Sequence, residues 1–207
     1  MHGHAGPPVP QHYVSCFWSL VRDARIVAKR DLETGGPTYK ETDRPQEAIW
    51  GASLLYMVLV DQMGTAFELD GASAGTQSFR SALNLFARPV LPLSADEINA
   101  IYALRCSFAH DYSLVNSTTK PGLAHLFIVT WSLDRPLVDI PIPAWDGDTG
   151  APLPPRRTIV NLKVLEELVE GMVVVVQDAA RDGSLRLAHG MLVKEFTERY
   201  SFGLTKG

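Results

Sequence analysis

The sequence predicts a mainly α protein of the α+β class: an up-and-down helical bundle carrying a small β-hairpin or meander insertion. Three observations carry that expectation. Apolar residues recur at helical spacing along most of the chain, from Gln11 to Ala109 and again after Ile159. Between Tyr112 and Arg157 the texture changes to short β-favouring runs (YSLV, LFIVTWSL, PLVDIPI) separated by turns and many prolines. Finally, 207 residues suffice for one well-buried core, so a single domain over 1–207 is expected.

Residues 1–10, MHGHAGPPVP, hold three prolines and two glycines and read as a flexible lead-in, without the charged start and apolar run of a signal peptide. His2 and His4, with no third ligand beside them, belong to that tail. From Gln11 to about Leu32, the spacing of Val14, Phe17, Trp18, Val21 and Ala28 suits an amphipathic helix, closed by TGGP at 34–37. A second helix starts after Asp43, with Pro45 in its first turn and Gln46 as capping partner. It is apolar on most faces, which places it at the centre of the bundle. DGASAG at 70–75 leads to a shorter helix from about Thr76 to Ala87, ended by PVLP at 89–92. Ser94 and Glu97 then match a capping box ahead of Ile98, Ile101 and Tyr102. After the β/Pro-rich insertion at 112–157, Ile159, Leu162, Leu165, Val169, Met172 and Val176 form one helical stripe, with Glu166, Glu167 and Glu170 mostly outside it. That helix ends near Gly183, and a last one covers roughly 191–200.

Composition excludes several function classes. Nineteen Lys and Arg against 23 Asp and Glu leave a formal charge of −4, which argues against coating nucleic acid with a broad basic face. Local engagement of a few nucleotides remains open. Cys16 and Cys106 form no C-x-x-C pair for zinc or dithiol exchange, and a reducing cytoplasm is the simplest reading. The longest apolar stretch, Ala48 to Val60, falls short of the ~20 residues of a spanning helix, so no membrane association is expected. No glycine spacing suits a phosphate loop, and Asp146 and Asp148 lack the other ligands of a calcium loop. Neither a metal nor a cofactor is expected.

The helix after Ser94 carries the chemistry. Ile98, Tyr102, Arg105, Ala109 and Tyr112 share one sector, so an arginine interrupts an apolar stripe. A guanidinium keeps its proton at any ordinary pH and needs a carboxylate, carbonyls or an anionic ligand when buried. Asp61, Glu68 and Asp111 are the candidates by type, and a salt bridge stapling two helices is the plain structural reading. His110 follows five residues later, rotated by roughly 140°. The two converge only if the helix ends or distorts at Ala109, or if a second subunit brings its own copy across a two-fold axis. Two arginines and two histidines around one cleft would combine anion stabilisation with proton transfer near neutral pH. Cys106, one turn before His110, has no oxyanion site or orienting group in the sequence and reads as a small core thiol.

Residues 104–112, LRCSFAHDY, resemble the signature of HEPN domains, helical bundles in which arginine is followed after four to six residues by histidine. Arg105-x4-His110-x-Tyr112 is similar to the R-x4-H-x-Y form of HEPN toxins paired with minimal nucleotidyltransferase antitoxins. The resemblance implies a homodimeric, metal-independent endoribonuclease acting on single-stranded RNA. It makes His110 the acid/base group, Arg105 the phosphate ligand, and Tyr112 the tyrosine the antitoxin adenylates. Cys106 stands where many HEPN nucleases carry a polar residue; with Asp111 and Asp61 it belongs to the supporting set. The alternative is a non-catalytic HEPN-like module that binds a nucleotide or a protein. Arg156, Arg157 and Lys163 are either a solvated helix start or the rim of an RNA path. His125 and His189 read as structural, and the four tryptophans are scattered, with no stacking platform evident.

Overall fold

The computed structural model describes residues 12–40, 47–70, 77–118, 120, 122–132, 134–150 and 157–204. The expected lead-in at 1–10, the cap around Asp43 and the DGASAG linker after Asp70 lie outside the described residues, as does Arg156. The described chain is α+β: six helices and a small mixed sheet.

Helix α2 (Glu47–Ala66) occupies the centre, packed against α1 (Cys16–Val27), α3 (Ser78–Ala82), α4 (Ala95–Asp111) and α5 (Leu162–Asp182). Its sequence requires this, because Ala52, Tyr56, Met57, Leu59, Val60 and Met63 are all buried and form a broad apolar face over nearly half of its circumference. Gly64 permits the closest approach: a Cβ there would stand 1.7 Å from the Ser78 carbonyl oxygen on α3. A π-helical turn, Leu83–Ala87, continues α3. The capping box opens α4 as expected, with Ser94 Oγ accepting from the Glu97 amide and the Glu97 carboxylate accepting from the Ser94 amide.

The first helix is shorter than its apolar spacing suggests. Residues His12–Ser15 form β1, paired antiparallel with β8 (Ser201–Leu204), and α1 stops at Val27. Lys29 then takes a left-handed φ of 53°, and the chain doubles back through a strap that returns to Lys29 at Thr38. Helix α5 starts later than the periodicity suggests: Ile159 belongs to β6 (Thr158–Asn161), and the Asn161 side chain caps α5 by accepting from the amides of Lys163 and Val164.

The β insertion is not a simple meander. Strands β3 (Val115–Asn116) and β4 (His125–Thr130) make the expected short antiparallel pair, but β4 runs parallel to β6, which lies beyond 157. Strand β5 (Val138–Asp139) pairs on the far side of β6, giving the order β3-β4-β6-β5. Local alternation cannot reveal that 127–130 meets 158–161. A further ladder joins β2 (Phe67–Leu69) to β7 (Leu185–Leu187), and α6 (Val193–Tyr200) closes the described chain ahead of β8. No helix among the described residues is long and apolar enough to cross a membrane.

Candidate functional site on helix α4

Arg105 projects from α4 toward α2, where its Nε donates to Asp61 Oδ2 at 2.6 Å and its Nη2 reaches the same oxygen. Of the three carboxylates available by type, Asp61 is therefore the partner, and the pair ties α2 to α4. Ser78 Oγ donates to the other Asp61 oxygen at 3.3 Å, so α3 joins the arrangement. The pair is not sealed: the side chains are 27% and 22% exposed. Burial alone would lower the Arg105 pKa, but the hydrogen bond and charge of Asp61, with help from Cys106, outweigh it and hold the pKa above the ordinary value.

Three neighbours complete a polar cluster. Tyr102, one turn back on α4, hydrogen-bonds Cys106; that bond is the main reason its hydroxyl pKa is raised, burial adding to it. The nearby cations of Arg80 and Arg105 act in the opposite direction. The Arg80 guanidinium lies 4.4 Å from the centroid of the Tyr102 ring, a cation–π contact. Two guanidiniums, Arg80 and Arg105, thus lie near Tyr102, and the second is paired with the carboxylate of Asp61. Cys106 is half-buried among these groups, with its free thiol engaged by Tyr102 and Arg105.

His110 lies elsewhere on the same helix. Helix α4 stays regular through Asp111, so the distortion at Ala109 that would bring the imidazole to Arg105 within one chain is absent. His110 and Asp111 are exposed and make no hydrogen bond or ion pair with described residues. Tyr112 caps the helix in the left-handed region, φ 50° and ψ 42°, with its amide donating to the Ser107 carbonyl. That conformation costs a non-glycine residue about 1–2 kcal/mol, and the ring is supported by Trp50 and Phe108 at centroid distances of 6.0 and 6.4 Å. Tyr112 nevertheless remains 63% exposed.

Sequence reasoning missed Arg80 and Ser78. The signal available was weak, because Arg80 lies inside a short apolar helical segment with no acidic residue beside it in sequence. The other candidates resolve simply. His125 is buried, with Nδ1 2.9 Å from Thr158 Oγ1. Asp146 and Asp148 cap their own turn by accepting backbone amides. Arg157 is exposed, and the side chain of His189 lies outside the described residues. No group of three or more metal-ligating side chains occurs among the described residues.

With fold and site described, comparison adds no identity: no family model matches the chain, and neither the curated proteins nor the solved structures gave a significant match.

Proposed function

We propose that this is a HEPN-like, cytoplasmic protein that works as a homodimer, using the α4 motif to cleave single-stranded RNA without a metal. The observation that carries the reading is the division of labour along one helix: a carboxylate-oriented, half-exposed Arg105 and, five residues on, an exposed His110 with no hydrogen bond or ion pair to a described residue. Within one chain they point apart, so a two-fold partner is required to bring an imidazole to a guanidinium. Asp61 fixes the guanidinium in advance of substrate, and Arg80 adds positive charge where a phosphate would sit. In the reaction His110 accepts the 2′-hydroxyl proton as the 2′-oxygen attacks phosphorus. The bond from phosphorus to the 5′-oxygen breaks as that oxygen takes a proton from the second protomer's imidazole or from water, and a 2′,3′-cyclic phosphate remains. Tyr112, exposed beside this motif, is the residue a nucleotidyltransferase antitoxin would adenylate.

The Arg105–Asp61 bond also favours a second reading, a non-catalytic HEPN-like module in which Arg105 only staples α2 to α4. Incubating the protein with single-stranded RNA in chelator, with end-group analysis, separates the two. The proposal expects 2′,3′-cyclic phosphate ends that disappear in Arg105→Ala while the fold persists. Absence of cleavage by the natural dimer, with Arg105→Ala lowering only stability or partner binding, supports the staple.

A further inference from the structure

A different part of the molecule carries a cleft of about 440 Å³, within the size range of small-ligand sites. It lies between α1, the strap at 29–38 and α5. Its floor is rigid. Arg25 is buried there, with Nε and Nη2 donating to Glu170 and Nη1 donating to the carbonyls of Leu32 and Glu33, so its hydrogen-bonding groups are committed to the protein.

The walls are not committed. Trp18 is 43% exposed and is held edge-on by Phe17, with ring centroids 4.9 Å apart, so one side of the indole faces outward without being free to collapse. Arg22 stands one turn further along the same face of α1, exposed and without an ion pair to any described residue. Gln177 enters from α5 with its amide unengaged among the described residues, and the exposed Glu33 enters from the strap. Leu32, 43% exposed, supplies an apolar surface. These are complementary functions: a stacking ring, a two-way amide, an acceptor carboxylate and a cation set apart from that carboxylate.

We infer that this cleft binds a nucleoside monophosphate whose base bears an exocyclic amine, either free or as one nucleotide of a single-stranded RNA. The base stacks on Trp18, Gln177 and Glu33 hydrogen-bond its edge, and Arg22 takes the phosphate. Glu33, an acceptor only, selects the amino base over its oxo counterpart. The tryptophans are scattered in sequence, and only the placement of the strap and α5 gives Trp18 this setting. The inference does not depend on the α4 motif.

Calorimetric titration of the full chain with AMP, adenosine, IMP and hexaadenylate tests it. AMP is expected to bind saturably, more tightly than adenosine or IMP. Trp18→Ala weakens AMP binding by about tenfold or more, and Arg22→Ala removes the advantage of AMP over adenosine. Trp18→Phe, which keeps the contact with Phe17, gives an intermediate loss and guards against misfolding of the alanine variant. Binding of hexaadenylate but not AMP, with the same sensitivity to Trp18, identifies RNA as the source of the nucleotide. No saturable heat from AMP or hexaadenylate at millimolar concentration, or binding unchanged in Trp18→Ala and Arg22→Ala, overturns the inference.

Discussion

Two arginine–carboxylate centres, one under the strap and one on α4, use the same chemistry to opposite ends. Beneath the strap, Arg25 and Arg30 are each 4% exposed, and they face Glu170, Glu166 and the half-exposed Glu167 of α5. Tyr56 donates to Glu170 Oε1 at 2.7 Å, and Arg30 Nη1 donates to the Gly35 carbonyl. Burial and the Glu170 charge raise the Tyr56 pKa, so the hydroxyl stays a donor. Burial lowers the affinity of Arg30 for its proton, but Glu167 more than compensates and its pKa is raised. A Cβ on Gly35, whose φ is 72°, would lie 2.3 Å from a Glu170 oxygen, so the strap closes directly over the charges. On α4, by contrast, Arg105 has one carboxylate, solvent on one side and a second guanidinium nearby. A buried, closely paired network holds structure; a half-exposed pair with a second guanidinium nearby can still meet an anion.

That contrast predicts an order of stability effects. Glu170→Ala leaves the Arg25 guanidinium buried and loses about 3–5 kcal/mol in urea denaturation. Replacing Arg25 and Glu170 together with methionine recovers much of that loss, because the desolvation of both charges disappears. Arg105→Ala costs about 1 kcal/mol by the same measurement, as befits a partly solvated pair. A loss at α4 equal to that at Glu170 would remove the distinction between the two centres.

Much of α2, α4 and the core stripe of α5 was legible, because capping and periodicity are local. The buried cluster was not. Glu166 and Glu170 fall mostly outside the apolar stripe of α5, which gives no sign of burial, yet they are 0% and 7% exposed. Their partners Arg25, Arg30 and Tyr56 are more than a hundred residues away, and only together do these charges make a tolerable interior. The amphipathic reading of α1 counted Trp18 as core and passed over Arg25, whereas the structure exposes the first and buries the second. On α4 the sequence named Arg105, Asp61 and His110, but the absence of any bend at Ala109 required coordinates.

A smaller effect comes from the sheet. Burial holds the His125 pKa below 6.5, with the Gly122 carbonyl partly opposing. The folded imidazole is therefore neutral where the unfolded one begins to bind a proton. Its contribution to stability is full above pH 6.5 and is lost as pH falls from there through the folded value. Denaturation midpoints of His125→Asn should fall less steeply over that window than those of the natural chain. At the bottom of the order, Arg181→Ala at the exposed Asp178 pair leaves the midpoint unchanged.

The most direct measurement pairs thermal denaturation with metal-free RNA cleavage for His110→Ala. Because His110 is exposed and makes no hydrogen bond or ion pair with a described residue, the melting temperature should match that of the natural chain while 2′,3′-cyclic phosphate products vanish. Undiminished cleavage by the folded variant would contradict a role for His110 and with it the α4 site.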